Sequence, residues 1–105
     1  MNQMSLSELI QITEIPLLVK FGAVWCGPCK TIKPLLEELA LSWEGDVDLW
    51  DIDCDEYPET AVEWRVRSIP TLILIDTDGT ELERLTGSQT KQSIEQMLYK
   101  HFEEG

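Results

Sequence analysis

"VWCGPCK", residues 24–30, is the stretch that decides the fold of this 105-residue chain. Two cysteines stand two residues apart in it, with Gly27 and Pro28 between them and Trp25 in front. Such a pair can form a structural disulfide, supply half of a metal site, or cycle between a dithiol and a disulfide. The sequence around the motif separates these three possibilities.

The segments on either side place the motif between a strand and a helix. Residues 16–24 form an apolar run with one lysine, which is typical of a buried parallel strand. Residues 29–43 show helical periodicity, and Pro34 inside them should bend the helix. A cysteine at the amino end of a helix meets the helix dipole and unpaired N–H groups, both of which favour the thiolate. The inward face of the predicted helix carries Ile32, Leu35, Leu36, Leu39 and Trp43.

The remaining elements predict an α/β fold in a single domain over residues 1–105. The order is α-β-α-β-α-β-β-α, so the first two strands should be parallel and the last two should form an antiparallel hairpin. We expect a mixed central sheet of four or five strands with helices on both faces. Functional groups of such sheets lie at the carboxyl ends of strands, where the motif stands. The other predicted elements are helices at 5–11, 58–66 and 90–102, and strands at 46–55, 71–76 and 80–87.

Composition and charge exclude several classes of function. The chain is 43% hydrophobic and 27% charged, as in an ordinary globular domain, and its net charge of -12 argues against nucleic-acid binding. No apolar run reaches the length of a membrane span, and the first residues lack the pattern of a signal peptide. We therefore expect a cytoplasmic protein that binds neither nucleic acid nor membrane. A monomer is expected as well.

The cysteine count favours redox chemistry over a structural or metal role. A disulfide-stapled secreted domain usually has four or more cysteines, and this chain has three. A zinc site needs four ligands, yet only Cys54 and His101 remain, at irregular spacing, so no metal site is expected. A structural bridge across so small a loop would contribute little stability. The pattern predicts a cycling dithiol with no cofactor beyond its own disulfide, and Cys54 as a small core residue.

A second segment, "RSIPTL" at 67–72, bears on substrate binding. Pro70 precedes a predicted strand, a position at which proline is tolerated. A cis Ile69–Pro70 bond would expose the backbone of Ile69, to which a peptide substrate could pair as a strand. With a trans bond, Pro70 would only mark the start of the strand.

From about Pro16 to Phe102 the chain resembles the thioredoxin family. The resemblance rests on "WCGPCK", on Pro34, on "SIPT" before the third long strand, and on Gly87 after the hairpin. It implies the thioredoxin fold, a cis bond before Pro70, and reduction of protein disulfides with electrons from a thioredoxin reductase. It also implies Cys26 as the attacking nucleophile, Cys29 as the resolving thiol, and a substrate groove of Trp25, Gly27, Pro28, Ile69, Pro70 and Gly87.

Three departures from the family pattern affect the site. The first, edge strand of the family should be short or absent, and Gly22 replaces a tryptophan usual in the family. Lys20 stands at the position of the buried aspartate of the family, and Asp51 at that of a lysine often found opposite it. We expect an ion pair between these two beneath the active site, with Lys20 extending to solvent as the alternative. The base for Cys29 is then Asp51, and Lys20 acts on Cys29 electrostatically.

The favoured function is therefore reduction of protein disulfides through Cys26 and Cys29. One alternative is a specialised redox carrier with a shifted potential and its own reductase or target. Another is a binding subunit of thioredoxin fold whose cysteines are incidental to docking. An insulin-reduction assay with a thiol donor separates the binding subunit from the two redox functions.

Overall fold

The computed structural model describes residues 5–102, and its elements follow the predicted order. The predicted third helix is too long by three residues, because Arg65 adopts a φ of 56°, which an α-helix cannot contain. The second helix begins two residues earlier than predicted. The elements are α1 Leu6–Ile12, β1 Leu17–Gly22, α2 Gly27–Ser42, β2 Asp48–Asp53, α3 Pro58–Glu63, β3 Thr71–Ile75, β4 Glu81–Thr86 and α4 Lys91–Phe102.

The four strands form one mixed sheet in the order β2-β1-β3-β4. As predicted, β1 and β2 are parallel, joined by the crossover helix α2, and β3 and β4 form an antiparallel hairpin. The central strand β1 is buried along its whole length, which explains its nearly continuous apolar sequence. Among residues 5–102 no strand lies beyond β2, so β2 is the outermost described strand on that side of the sheet. The short or absent first strand that we expect would precede residue 5, outside the described residues.

Helices cover both faces of the sheet. On one face α2 and α4 pack on Leu18, Leu72 and Leu74, and on the other face α1 packs on the alternating residues of β1 and β3. Because side chains alternate along a strand, Lys20 points to the same face as Leu18, beneath α2. The core on the α1 face contains Leu6, Leu9, Leu17, Val19, Phe21, Ile73 and Ile75.

The helix α2 is fixed at its start and along its inner face. Cys26 is its N-cap residue, and Pro28 lies in the first turn, where a missing N–H costs no hydrogen bond. Pro34 lies inside the continuous helix. The predicted inner face is buried against the sheet at Ile32, Leu36 and Leu39, so the core holds the helix that carries both cysteines of the motif.

Glu83 ties the end of α4 to β4. Its Oε1 lies 2.9 Å from His101 Nε2 and 3.4 Å from Lys100 Nζ. The hydrogen bond with His101, followed in effect by Lys100, holds the pKa of Glu83 below its ordinary value of 4.5. A lowered carboxyl pKa stabilises the fold above that ordinary value, and this stabilisation is lost as the pH falls through the lowered pKa.

We expect Glu83→Gln to lower the free energy of unfolding at pH 7 by about 0.5–1 kcal/mol, since the pair is partly exposed. Urea denaturation should show this difference shrinking as the pH falls below 4.5. Glu37→Gln, at an exposed carboxylate of α2, is the control and should change little. If Glu83→Gln lowered the free energy of unfolding by the same amount at every pH, Glu83 would contribute through packing alone.

Candidate active site

Cys26 and Cys29 form a disulfide at the start of α2, with their Cα atoms 5.2 Å apart. The Sγ of Cys26 accepts a hydrogen bond of 3.2 Å from the N–H of Cys29. A thiolate on Cys26 would accept the same bond and would lie at the positive end of the helix dipole. The geometry therefore favours negative charge on Cys26 in the reduced form.

The disulfide lies just below the surface. Cys26 is 5% exposed and Cys29 is 2% exposed, so both are buried. Ala23 and Ile69 pack against the two cysteines. Trp25, next to Cys26 in the chain, is 67% exposed. A substrate disulfide therefore has to approach the cysteines from the surface on which Trp25 lies.

The loop before β3 lies against this disulfide. The Ile69–Pro70 peptide bond is cis, as the family resemblance implies, and the side chain of Ile69 packs on the cysteines. The N–H of Gly87 donates to the carbonyl of Pro70 at 2.9 Å, and Gly87 adopts a φ of 83°, which favours glycine. The structure thus brings Ile69, Pro70 and Gly87 together, and the exposed Gly27 and Pro28 adjoin the disulfide along the chain.

This loop is held through its main chain. Arg84 of β4 donates to the carbonyls of Trp64 and Arg65 at 2.8 and 3.2 Å. The hydroxyl of Thr71 donates to the carbonyl of Ser68 at 2.7 Å.

Lys20 and Asp51 stand opposite each other on β1 and β2, and Lys20 Nζ lies 3.4 Å from Asp51 Oδ2. The predicted ion pair is present, and the alternative of Lys20 extending to solvent is wrong. The two partners of this ion pair differ in exposure: the side chain of Lys20 is 8% exposed and that of Asp51 is 58% exposed. Solvent screens the carboxylate, so the pair is weaker than a fully buried one, while the ammonium carries most of the desolvation cost.

Gly22 leaves the space above its α-carbon to the side chains of Lys20 and Cys29. A Cβ placed at Gly22 would lie 2.9 Å from Cys29 Sγ and 3.0 Å from Lys20 Cε. Both side chains therefore lie over the bare α-carbon of Gly22. The replacement of a bulky residue here by glycine places a lysine side chain beside the buried cysteine.

An open cleft of about 420 Å³ extends beside Cys29. Lys20 and Asp51 line it together with Lys30, Lys33 and the half-buried Tyr57. Water in such a cleft can approach both Cys29 and the exposed carboxylate of Asp51. The arrangement can therefore accommodate proton transfer from Cys29 to Asp51, directly or through water.

Gly22→Ala should destabilise the oxidised protein by about 1–3 kcal/mol, because the added methyl group overlaps the Cys29 sulfur and the Lys20 side chain. Urea denaturation of the oxidised form measures this loss. Gly27→Ala is the matched control, since nothing lies within 4 Å of a Cβ at Gly27. Equal stability of the two variants would show that Lys20 and Cys29 do not occupy the space over Gly22.

Sequence reasoning missed two contributors to this site. It treated Gly22 only as a departure from the family pattern, and it included Asp55 only as the last residue of the strand predicted at 46–55. The carboxylate of Asp55 accepts a hydrogen bond of 2.7 Å from the indole N–H of Trp25. Its position just after the carboxyl end of β2, beside the strand that precedes the motif, is the signal that could have identified it.

Cys54 lies apart from the disulfide, half-buried on the α1 face with Trp50 and Ile52. Burial raises its pKa, and the neighbouring charges of Asp53 and Asp55 add to the effect. A thiol kept protonated in this way is a poor nucleophile. The position agrees with the predicted packing role.

Within residues 5–102, no group of three or more His, Cys, Asp or Glu side chains could hold a metal ion. No helix in the same range is both long and apolar enough to cross a membrane.

A mixed sheet, a dithiol motif that caps a helix, and a cis-proline loop beside the disulfide define the class of thiol–disulfide oxidoreductases. Residues 1–100 match the family model for thioredoxin. The thioredoxins of Staphylococcus aureus strains Mu50 and MW2 are each 49% identical over 84 residues, 80% of either chain. The crystal structure of the germline-specific thioredoxin Deadhead from Drosophila melanogaster superposes with a TM-score of 0.78 at 26% identity, covering 84% of this chain and 82% of that one.

The chain belongs to the thioredoxin family. It is a thiol–disulfide oxidoreductase with a CxxC pair at disulfide distance.

Proposed function

We propose that the chain acts as a cytoplasmic monomer that carries electrons from a thioredoxin reductase to disulfides of protein substrates, with no cofactor beyond its own disulfide. The observation that carries the proposal is the contact of the Cys26–Cys29 disulfide with Ile69, beside the cis-proline loop. An extended substrate segment that pairs with the backbone of Ile69 would hold its disulfide next to Cys26. Trp25, Gly27, Pro28, Pro70 and Gly87 form the rest of this substrate groove.

Cys26 is the nucleophile in this proposal. Its thiolate attacks one sulfur of the substrate disulfide, and the other substrate sulfur leaves as a thiolate that takes a proton from water. Cys29 then loses its proton to Asp51 and attacks the sulfur of Cys26. The second substrate sulfur leaves as a thiolate and takes up the proton held by Asp51, directly or through water, and the protein is left oxidised. Reductase returns two electrons and one proton to the Cys26–Cys29 disulfide, which restores the Cys26 thiolate and the Cys29 thiol.

The assignment of roles can be tested on the reduced protein. Iodoacetamide at neutral pH should label Cys26 well before Cys29, because Cys26 caps α2 while Cys29 is held within its first turn. Peptide mass spectrometry over time measures both rates, and Cys54 provides an internal reference for a slow thiol. Faster labelling of Cys29 would reverse the two roles.

A redox carrier with a shifted potential is the second candidate, and the position of Lys20 favours it. The residues between the cysteines, Gly27 and Pro28, match thioredoxin, whose potential is about -270 mV, against about -180 mV for protein disulfide isomerase. An ammonium beside Cys29 stabilises its thiolate, which makes the couple more oxidising. Equilibration with glutathione measures the potential, and a value nearer that of the isomerase would favour the specialised carrier.

Reduction of insulin with dithiothreitol as donor tests the redox function as a whole. The wild-type protein should accelerate the reaction well above the donor alone. Failure to do so, with the fold intact by circular dichroism, would favour the binding subunit.

A further inference from the structure

Within the part of the chain that the structure describes, the backbone groups on the outer edge of β2 have no partner strand. The N–H groups of Asp48 and Cys54 donate at 2.9 and 2.8 Å to carbonyls on the β1 side. Because the bonding direction alternates along a strand, Leu49 and Asp51 direct their N–H and C=O groups away from β1. Among residues 5–102 no strand pairs with that side. As far as residues 5–102 are concerned, this edge, residues 48–53, is open to the addition of a further strand.

The same edge lies within the most acidic part of the chain. Residues 34–64 contain eleven of the twenty acidic residues and no lysine or arginine. Asp46, Asp48 and Asp51 are exposed along β2 and its approach, while Leu49 and Trp50 between them are half-buried. The edge thus combines unpaired main-chain groups, partly covered apolar side chains and negative charge.

These features decide which occupant the edge fits. A second copy of this chain would bring carboxylates opposite carboxylates, which destabilises a strand pair. Residues 1–4, "MNQM", offer no lysine or arginine to the carboxylates. An extended segment with basic residues at alternate positions would satisfy the main-chain groups and place its cations on the face of the edge that carries Asp48.

We propose that the β2 edge, residues 48–53, is a docking surface for an extended, lysine- or arginine-rich segment of a partner protein, added to the sheet as a fifth strand. This docking uses main-chain hydrogen bonds and charge, and it needs neither Cys26 nor Cys29. It is therefore separate from the substrate groove at Ile69 and Pro70. Binding there would hold a partner on the protein while the disulfide remains open to substrate.

A heptapeptide of alternating lysine and valine, blocked at both ends, is the probe, and its glutamate–valine counterpart is the control peptide. In amide NMR spectra of the full chain, the lysine peptide should shift the N–H signals of Leu49 and Asp51 and slow their exchange with solvent. The inward N–H signals of Trp50 and Ile52 should change much less. The control peptide should have no effect, and added salt should weaken the binding of the lysine peptide.

Two sets of variants test the surface. Asp46→Lys with Asp48→Lys should raise the Kd about tenfold or more, whereas Glu37→Lys with Glu95→Lys, the same change in net charge placed on α2 and α4, should have a much smaller effect. Leu49→Pro removes an outward donor at an edge position where proline is tolerated, and it should abolish strand addition. Its fold is checked by circular dichroism, and the charge variants test the surface even if Leu49→Pro does not fold.

Several results would overturn the proposal. Equal weakening by both charge pairs, or unchanged binding to a folded Leu49→Pro variant, would reduce the effect to general electrostatic attraction. Peptide binding that appears only after deletion of residues 1–4 would make the start of the chain the occupant. Self-association in sedimentation that Leu49→Pro removes would make a second copy the occupant.

Discussion

Replacing Cys26 by serine should reduce insulin reduction to the rate of the dithiothreitol donor alone. The serine hydroxyl is not ionised near neutral pH, so no nucleophile remains at the start of α2 to attack a substrate disulfide. The measurement is the turbidity of precipitating insulin chains at equal protein concentration. Cys54→Ser is the matched control and should retain full activity, because Cys54 lies on the opposite face of the sheet.

Cys29→Ser should instead stop the reduction of substrate at the mixed disulfide between Cys26 and the substrate. Cys26 can still attack, but no second thiol displaces the substrate, so a mixed disulfide accumulates. Non-reducing electrophoresis should show a species linked through Cys26 that dithiothreitol releases. Accumulation of this species with Cys26→Ser, and not with Cys29→Ser, would exchange the roles of the two cysteines.

Asp51→Asn should slow disulfide reduction near pH 7 by about a hundredfold if Asp51 is the base for Cys29. The asparagine side chain cannot accept the proton, whereas at pH values above about 9 the thiol ionises without help. Stopped-flow measurement of substrate reduction from pH 6 to 10 should therefore show the loss at neutral pH and its recovery at high pH. A variant as fast as wild type at pH 7 would leave Asp51 only as the structural partner of Lys20.

Lys20→Met tests the effect of the Lys20 charge on the disulfide independently of the Asp51 carboxylate. Its removal takes a buried ammonium out of the core and leaves an exposed aspartate, so stability should stay the same or rise. The couple should become more reducing, by about 30 mV for each tenfold loss of thiolate stabilisation. Lys30→Met, at an exposed lysine of the same cleft, is the control and should shift the potential less. An unchanged potential in Lys20→Met would show that Lys20 does not act on Cys29.

The sequence was sufficient for the order of elements, the pairing of β1 with β2 and the position of the dithiol. These follow from local periodicity and from turn residues, which act over a few positions. The end of α3 could not be predicted, because the pattern around Trp64 continues the helix while Arg65 adopts a left-handed backbone conformation.

The finer geometry of the site was also beyond the sequence. The hydrogen bond between Trp25 and Asp55 joins residues thirty positions apart, so it depends on how β2 is placed beside β1. The pairing of Lys20 with Asp51 followed from strand order, but the unequal exposure of its two ends did not. The contact over Gly22 depends on the distance between α2 and the sheet, which no periodicity encodes.

The main-chain anchoring of the loop before β3 has a consequence for how this protein can diversify. Arg84, Thr71 and Gly87 each hold that loop through carbonyl oxygens, which every amino acid provides. The exposed side chains of Arg67 and Ser68 can therefore be exchanged during evolution without moving the backbone of Ile69. The exposed side chains of this loop and the position of the Ile69 backbone are thus separable traits in this chain, and descendants can change the first while inheriting the second.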